Sequence, residues 1–309
     1  MTIASPCTGV CKLDDVTGWC LGCGRTGDEI AGWRDRPHAA RQADWAQIPD
    51  RMRHLGVTCR RLPWTTEDIR AFVTSTLEAG RGNWVIGVVG AVAEFTPARG
   101  ETVTLCNNGD DLVAYTRNGA IRMTINDDVR ALTFDPPDLS SQQRIVLAVK
   151  RESGHLPLAQ GVSDLGADTA ALTEEPQTKL YDLGLGRKDG RFCVRLRKGA
   201  AQSALDDARG LPLPQALPVI GQSLVEESPT RVVESALGRI EVQGQIPPPG
   251  ANSPDGPHTH LLPDHLATGR VMPVGMDLPR AYLSGAIYYP HASGSRSRAD
   301  RRFGRPCSP

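Results

Sequence analysis

Four of the chain's eight cysteines fall within its first 23 residues, in two close pairs, Cys7/Cys11 and Cys20/Cys23. A segment this short buries too little apolar surface to hold itself folded, so it needs a staple. Four thiolates converging from two short loops would supply one, by holding a metal tetrahedrally. Cys20-Leu21-Gly22-Cys23-Gly24 is the tighter half, because glycines allow the positive φ that lets backbone amides point at the first sulfur. Cys7-Thr8-Gly9-Val10-Cys11 is one residue longer, and Gly9 still lets it curl. Between the pairs, Asp14, Asp15 and Gly18 suit a turn or short hairpin.

Redox context supports ligands over disulfides. Met1 to Pro6 carries neither a basic nor an apolar secretory region, and the longest apolar run, Trp84 to Ala93, is broken by Gly87 and Gly90. A cytoplasmic protein without membrane association is the expectation, and in a reducing compartment clustered cysteines serve metals. Cys59, Cys106, Cys193 and Cys307 are scattered and read as unpaired thiols. Lys+Arg and Asp+Glu are 35 each, so nothing predicts a global affinity for nucleic acid or acidic membranes. Arg25, Arg34, Arg36 and Arg41 interleave with Asp28, Glu29, Asp35 and Asp44, which describes a solvated mixed-charge face.

Thr26-Gly27-Asp28-Glu29 forms a capping box that starts a helix over Asp28 to Arg34. Pro37 suits the first turn of a second helix through Gln47. Ile48-Pro49 is expected to interrupt it, and Gly56 is placed to end the short stretch from Asp50 to Leu55. Ser5, Pro6, Cys7, Gly9, Cys11, Gly18, Cys20, Gly22, Cys23, Arg25, Thr26, Glu29, Ile30 and Trp33 together resemble a small bacterial family usually described as a predicted iron–sulfur protein. The resemblance spans about the first 55 residues and implies an iron–sulfur cluster on the four cysteines, but carries no activity. Spacing alone leaves zinc and iron–sulfur both open. A redox dithiol would sit at a strand end in a βαβ pattern, which does not occur here.

Beyond Leu62-Pro63-Trp64 the chain changes character. Thr65 or Thr66 caps an amphipathic helix through Glu78 that Gly80 closes. Trp84 to Phe95 reads as one buried strand. Thr102–Cys106, Leu112–Thr116 and Ala120–Ile125 read as an antiparallel meander punctuated by Asn108-Gly109 and Asn118-Gly119. Val129–Phe134, Arg144–Lys150 and Phe192–Arg197 add strands, although Arg144–Lys150 fits a helix equally, and Ala200–Ala208 adds a helix. With 32 Gly and 24 Pro and only 5% aromatics, many turns are expected rather than long helices. Gly184-Leu185-Gly186 lacks the third glycine of a dinucleotide fingerprint and reads as a turn.

The second chemically suggestive stretch runs from Gly238 through Gly250 to Ser253-Pro254-Asp255-Gly256-Pro257-His258-Thr259-His260-Leu261-Leu262-Pro263-Asp264-His265. On a strand His258 and His260 share a face, which is how H-x-H supplies two metal ligands, and His265 or Asp264 would complete a facial triad. The arrangement has some likeness to a cupin ligand motif. It departs from it in glycine spacing, in Asp264 standing for a glutamate and in Pro263. The competing reading is a Pro-rich loop whose histidines bond backbone carbonyls. The region also faintly resembles the C-terminal part of uncharacterised proteobacterial proteins, which implies no chemistry. G-x-S-x-G, G-x-x-x-x-G-K-[ST] and H-E-x-x-H are absent, which disfavours familiar hydrolases and phosphate-binding enzymes.

The sequence therefore predicts an α+β protein: a four-cysteine module over residues 1–62, an α+β domain over 63–292 and a disordered basic tail over 293–309. The expected function is a metal-binding protein whose Cys7, Cys11, Cys20 and Cys23 hold zinc or an iron–sulfur cluster. The module would be structural or dock a protein partner. The alternative is a metal-dependent enzyme with its site around His258, His260 and His265.

Overall fold

The computed structural model describes residues 3–134, 143–153, 156–157, 159–173, 178–185, 190–248, 251–273 and 275–290. Two N-terminal helices, the short α1 (Gly27–Ala31) and the longer α2 (His38–His54), come after the cysteine loops. Next come β1 (Cys59–Arg61), α3 (Thr66–Glu78), β2 (Asn83–Val88) and β3 (Ala91–Phe95). The meander β4 (Thr104–Asn108), β5 (Asp111–Thr116) and β6 (Gly119–Thr124) is succeeded by β7 (Val129–Phe134) and β8 (Arg144–Lys150). After β9 (Ser163–Ala167), β10 (Lys179–Asp182) and β11 (Gly190–Leu196) stand α4 (Ala200–Asp207) and α5 (Leu213–Glu227). The chain ends with β12 (Thr230–Ser235), β13 (Gly238–Val242), β14 (His258–Leu261), α6 (Pro263–Thr268) and β15 (Tyr282–Tyr289). The tail expected over 293–309 lies outside the described residues.

The strands form two sheets, ordered β1-β7-β8-β15-β2-β3-β14 and β4-β5-β6-β13-β12-β11-β10-β9. Each pairing among the described residues is antiparallel, so the fold is α+β, with a small helical N-terminal region before two β-rich layers. Alternation explains the layering: Ile86, Val88 and Leu147 of the first sheet meet Ile121, Val194, Val233 and Ile240 of the second in one core. The other face of the first sheet carries Val85, Leu132, Val146 and Ile287 under Met276 and Leu278. No described helix is long and apolar enough to cross a membrane.

The predicted capping box forms, Thr26 with Glu29, and Thr65 rather than Thr66 is the N-cap of α3, closing a second box with Asp68. Three expectations are corrected. Trp84 to Phe95 is a hairpin, because Gly90 at φ +79° turns the chain between β2 and β3; both arms are buried, which hid the turn among apolar residues. Ile48-Pro49 does not interrupt α2, since Trp45, Ile48 and Met52 pack into one cluster with Trp33 and Leu55 on either side of the proline. Cys106 is disulfide-bonded rather than an unpaired thiol. Cys59 and Cys193 are buried, and Cys307 lies outside the described residues.

Candidate functional site

The two cysteine loops are built as the glycines require. Gly9 (φ +79°) and Gly24 (φ +68°) bend them, and Cys11 itself sits at φ +48°. The amides of Gly9 and Gly22 each donate to the sulfur two residues before, Cys7 Sγ and Cys20 Sγ, at 3.4 Å. Thr8 Oγ1 donates to the Gly22 carbonyl at 2.8 Å and ties the loops together. Between the pairs, Asp14 and Trp19 close the short hairpin expected there. Cys20 and Cys23 are buried, Cys7 is half-buried and Cys11 exposed. Cys7, then burial, then Cys20 push the Cys11 thiol up; burial pushes Cys23 up while Arg25 pulls it down. The loops rest on the first sheet, where Tyr282 Oη donates to the Cys7 carbonyl at 3.4 Å.

Two amide–sulfur bonds, one to the first cysteine of each pair, suit a thiolate complex, which needs donors on its sulfurs. Arg25 adds a third donor, from Nε to Cys23 Sγ at 3.5 Å, while its Nη1 is buried without a partner. The donor set fits a tetrathiolate metal or cluster. The four thiols nevertheless do not close to the spacing found at a second place in the molecule.

That second place is the outer face of the first sheet. Among the described residues, the group of His, Cys, Asp or Glu whose ligand atoms all lie within 4.8 Å of one another is Glu94, His258 and His260. β14 pairs antiparallel with β3, setting His258 opposite Glu94 and His260 opposite Val92. The two rings then share the face that Glu94 occupies, with centroids 4.6 Å apart and planes perpendicular. Glu94 Oε2 lies 3.7 Å from His258 Nε2 and Oε1 lies 3.8 Å from His260 Nε2. A first shell with bonds of about 2.1 Å has edges of about 3 Å, so these carboxylate–imidazole distances stand somewhat above those around a bound ion.

Outer contacts fix these donors. His258 Nδ1 lies 2.8 Å from the Gly256 carbonyl, which only accepts, so Nδ1 carries the proton and Nε2 offers its lone pair. Asn83 Nδ2 donates to Glu94 Oε2. Burial, then His258, hold His260 below its usual pKa against the pull of Glu94, which keeps the imidazole neutral near pH 7. The His258 side chain is 12% exposed and His260 38%, so the site opens through His260.

It opens into a cavity of about 450 Å³. Val85, Val92, Val271 and Ile287 make apolar walls, with Asn83 and Tyr289 among the polar groups beside Glu94 and His260. A register shift between Ser284 and Ala286 on β15 lets Ser284 and Ile287, three apart, both reach it. His265, expected as a third ligand, stands on α6 and lines this cavity, outside the group; its Nδ1 is buried without a partner. Asp264 likewise lies outside the group. Glu94 escaped the sequence reading because sheet pairing, not proximity in the chain, delivers it; its trace was one charge in the apolar strand Ala91-Val92-Ala93-Glu94-Phe95.

The Gly238–Gly250 stretch proves to hold a buried ion network instead of a ligand set. Arg195 meets Asp168 at 2.9 Å and Glu241 at 2.7 Å; Arg239 meets Glu241 at 2.7 Å, Glu234 at 2.6 Å and also Asp168. Arg191 reaches Glu234 at 2.5 Å. Three guanidiniums thus offset three carboxylates within the second sheet and its flanking loop.

Comparison with known proteins leaves the chemistry open. No curated protein and no solved structure matches the chain. The model of a family described as protein of unknown function (DUF1289) matches residues 5–52, the part that carries the four cysteines. A second family model, of unknown function too, matches residues 68–304, which hold Glu94, His258 and His260. Since that match covers most of its length, the chain belongs to the family of unknown function DUF6925.

Proposed function

We propose that this protein is a metal-dependent enzyme whose larger part binds one divalent cation on Glu94, His258 and His260. The observation that carries this reading is the convergence of those three donors beside a cavity that Glu94 and His260 line. Two imidazoles and one carboxylate on one face leave coordination positions open on the other, the arrangement used by sites that bind a small ligand directly. One carboxylate against a dication leaves a net positive charge, which favours an anionic or strongly polarised oxygen. The apolar walls select a small, mostly hydrocarbon body behind that oxygen. A bound cation would act as a Lewis acid on it.

A second reading concerns the N-terminal segment, where the amide–sulfur bonds support a zinc or iron–sulfur centre on Cys7, Cys11, Cys20 and Cys23. It would staple the loops and present a surface for docking. The two centres are independent in sequence and in ligand type.

Metal counting separates them. The full chain, purified anaerobically and dialysed against Mn(II) or Fe(II), is expected to hold one divalent ion that Glu94→Gln and His260→Ala lose, with circular dichroism unchanged. Equal Mn(II) or Fe(II) content in wild type and both variants would overturn the His/Glu site. Cys20→Ser tests the other centre and should leave the Mn(II) count alone.

A further inference from the structure

Among the described residues, two buried arginines near the cysteine loops have no carboxylate partner. Arg25 is 3% exposed; its Nε donates to Cys23 Sγ, its Nη1 has no partner, and its guanidinium carbon lies 4.7 Å from the Trp33 ring centre. Arg61, on β1, is 9% exposed with Nε buried and unpartnered. Among the described residues neither forms an ion pair. Burial, with the charges of Arg130 and Arg25 and against those of Tyr282 and Cys7, lowers the Arg61 pKa to about 10. Arg61 stands two residues from Cys59 on β1, so it shares the face of the first sheet on which Cys59 and Tyr282 pack and Tyr282 meets Cys7.

Among the described residues the other buried guanidiniums have oxygen partners, although Arg231 Nε is also buried without one. Arg195 and Arg239 are matched by carboxylates, and Arg231 gives two hydrogen bonds to the carbonyls of Pro229 and Gly244. An unanswered buried charge is costly, so a pair of them beside four thiols calls for an anion.

We infer that Arg25 and Arg61 are the counter-charges of a dianionic tetrathiolate complex on Cys7, Cys11, Cys20 and Cys23, and that this complex clamps the N-terminal loops to the first sheet. The inference rests on the second reading of function, the thiolate centre. Four thiolates around one dication leave two negative charges, and an iron–sulfur core of charge 2+ leaves the same two. Two guanidiniums cancel them.

One counter-charge comes from each side of a contact. Arg25 belongs to the cysteine segment, and Arg61 to a strand paired with β7. The same contact carries the Tyr282–Cys7 hydrogen bond, and Gly9, where a Cβ would stand 2.8 Å from that of Ala281. Metal loading therefore adds an attraction across this joint that the thiols alone, when protonated, do not supply.

Cobalt(II) and zinc(II) titrations of the full chain test this, in a Glu94→Gln background so that only the thiol site is read. The parent should take up one Co(II) with a sulfur-to-metal charge-transfer band. Arg25→Met and Arg61→Met should hold Zn(II) at least about tenfold more weakly against a chromophoric chelator, the scale of lost outer-shell partners, and Arg61→Lys should recover most of that loss. Parent-like affinity in both Met variants would overturn the inference while leaving the thiolate centre standing. No charge-transfer band in the parent would sink the centre itself. Should a Met variant not fold, hydrogen exchange on the parent decides: zinc is expected to slow the amides of residues 59–61 and 281–282, and unchanged exchange there would refute the clamp.

Discussion

Glu94 faces His258 across the β3–β14 ladder, with its carboxylate 3.7 Å from His258 Nε2 and within 3.8 Å of His260 Nε2. A sheet edge makes this possible. β14 is the last strand of its sheet, so its histidines lie where a cavity can open beside them, while β3 inside it holds the carboxylate rigidly.

The first prediction separates ligand from support. Glu94→Ala should weaken Mn(II) or Zn(II) binding in the larger part by at least about 100-fold. Asn83→Ala, which removes only the donor to Glu94 Oε2, should cost about tenfold. Isothermal titration reads both, with the thiols blocked by alkylation. Equal losses in the two variants would mean that Asn83 is a ligand or that Glu94 is not.

Gly256 supports the same site through its backbone. It sits at φ +109°, where a side chain is strained although the nearest neighbour, Ala98 Cβ, leaves room at 3.6 Å. Gly256→Ala should cost about 1–3 kcal/mol in unfolding free energy and weaken metal binding, because the carbonyl that accepts from His258 Nδ1 shifts. Urea unfolding and a metal titration check the two effects separately. Loss of stability with full metal affinity would show that the carbonyl holds its place without the glycine.

How far these features could be read from sequence depends on the distance over which each is built. The capping box Thr26/Glu29 is made within four residues and formed where the spacing placed it, and Thr65 capped α3 as one of the two threonines offered. The meander β4–β6 was visible for the same reason, since each turn lies between adjacent strands. H-x-H predicted that His258 and His260 share a face, and the ring contact agrees. Which residue joins them was not legible, because Glu94 comes by strand pairing from far earlier in the chain. α5 was equally hidden: Pro218 and Gly221 argue against a helix locally, and burial of Leu213, Ala216, Ile220 and Leu224 on one face overrides them. Pro49 in α2 repeats that lesson.

The buried ion network should behave as one unit. Glu241 is fully buried; burial pushes its pKa up, but Arg195 and Arg239 outweigh that and leave it lowered. Glu241→Gln therefore leaves two buried guanidiniums short of a charge and should destabilise the chain by about 3–5 kcal/mol in urea unfolding. Replacing Arg195 by Met in the same chain should restore part of that loss, since it removes one orphaned charge. A double variant as unstable as the sum of the singles would show that the pair is not coupled.

Asp182 should make part of the stability depend on pH in the opposite sense to these paired acids. It is 1% exposed, and its Oδ1 accepts from the Gly184 amide at 2.8 Å. Burial raises its pKa to about 6; Gly184 and Arg191 pull downward and Glu234 pushes upward. A carboxyl with a raised folded pKa keeps its proton where the unfolded chain has released its own. Between about pH 4 and pH 6 the native state thus binds more protons, and stability falls as pH rises through that window. Two pKa units correspond to about 3 kcal/mol, fully lost above pH 6. Asp182→Asn keeps the acceptor for Gly184 and cannot ionise. The variant should therefore be more stable than wild type at pH 7.5 by up to that amount, and the difference should shrink toward zero near pH 4. Chemical unfolding of both chains at pH 4.5, 5.5 and 7.5 checks it, and a difference that does not change with pH would show that Asp182 stays ionised in the fold.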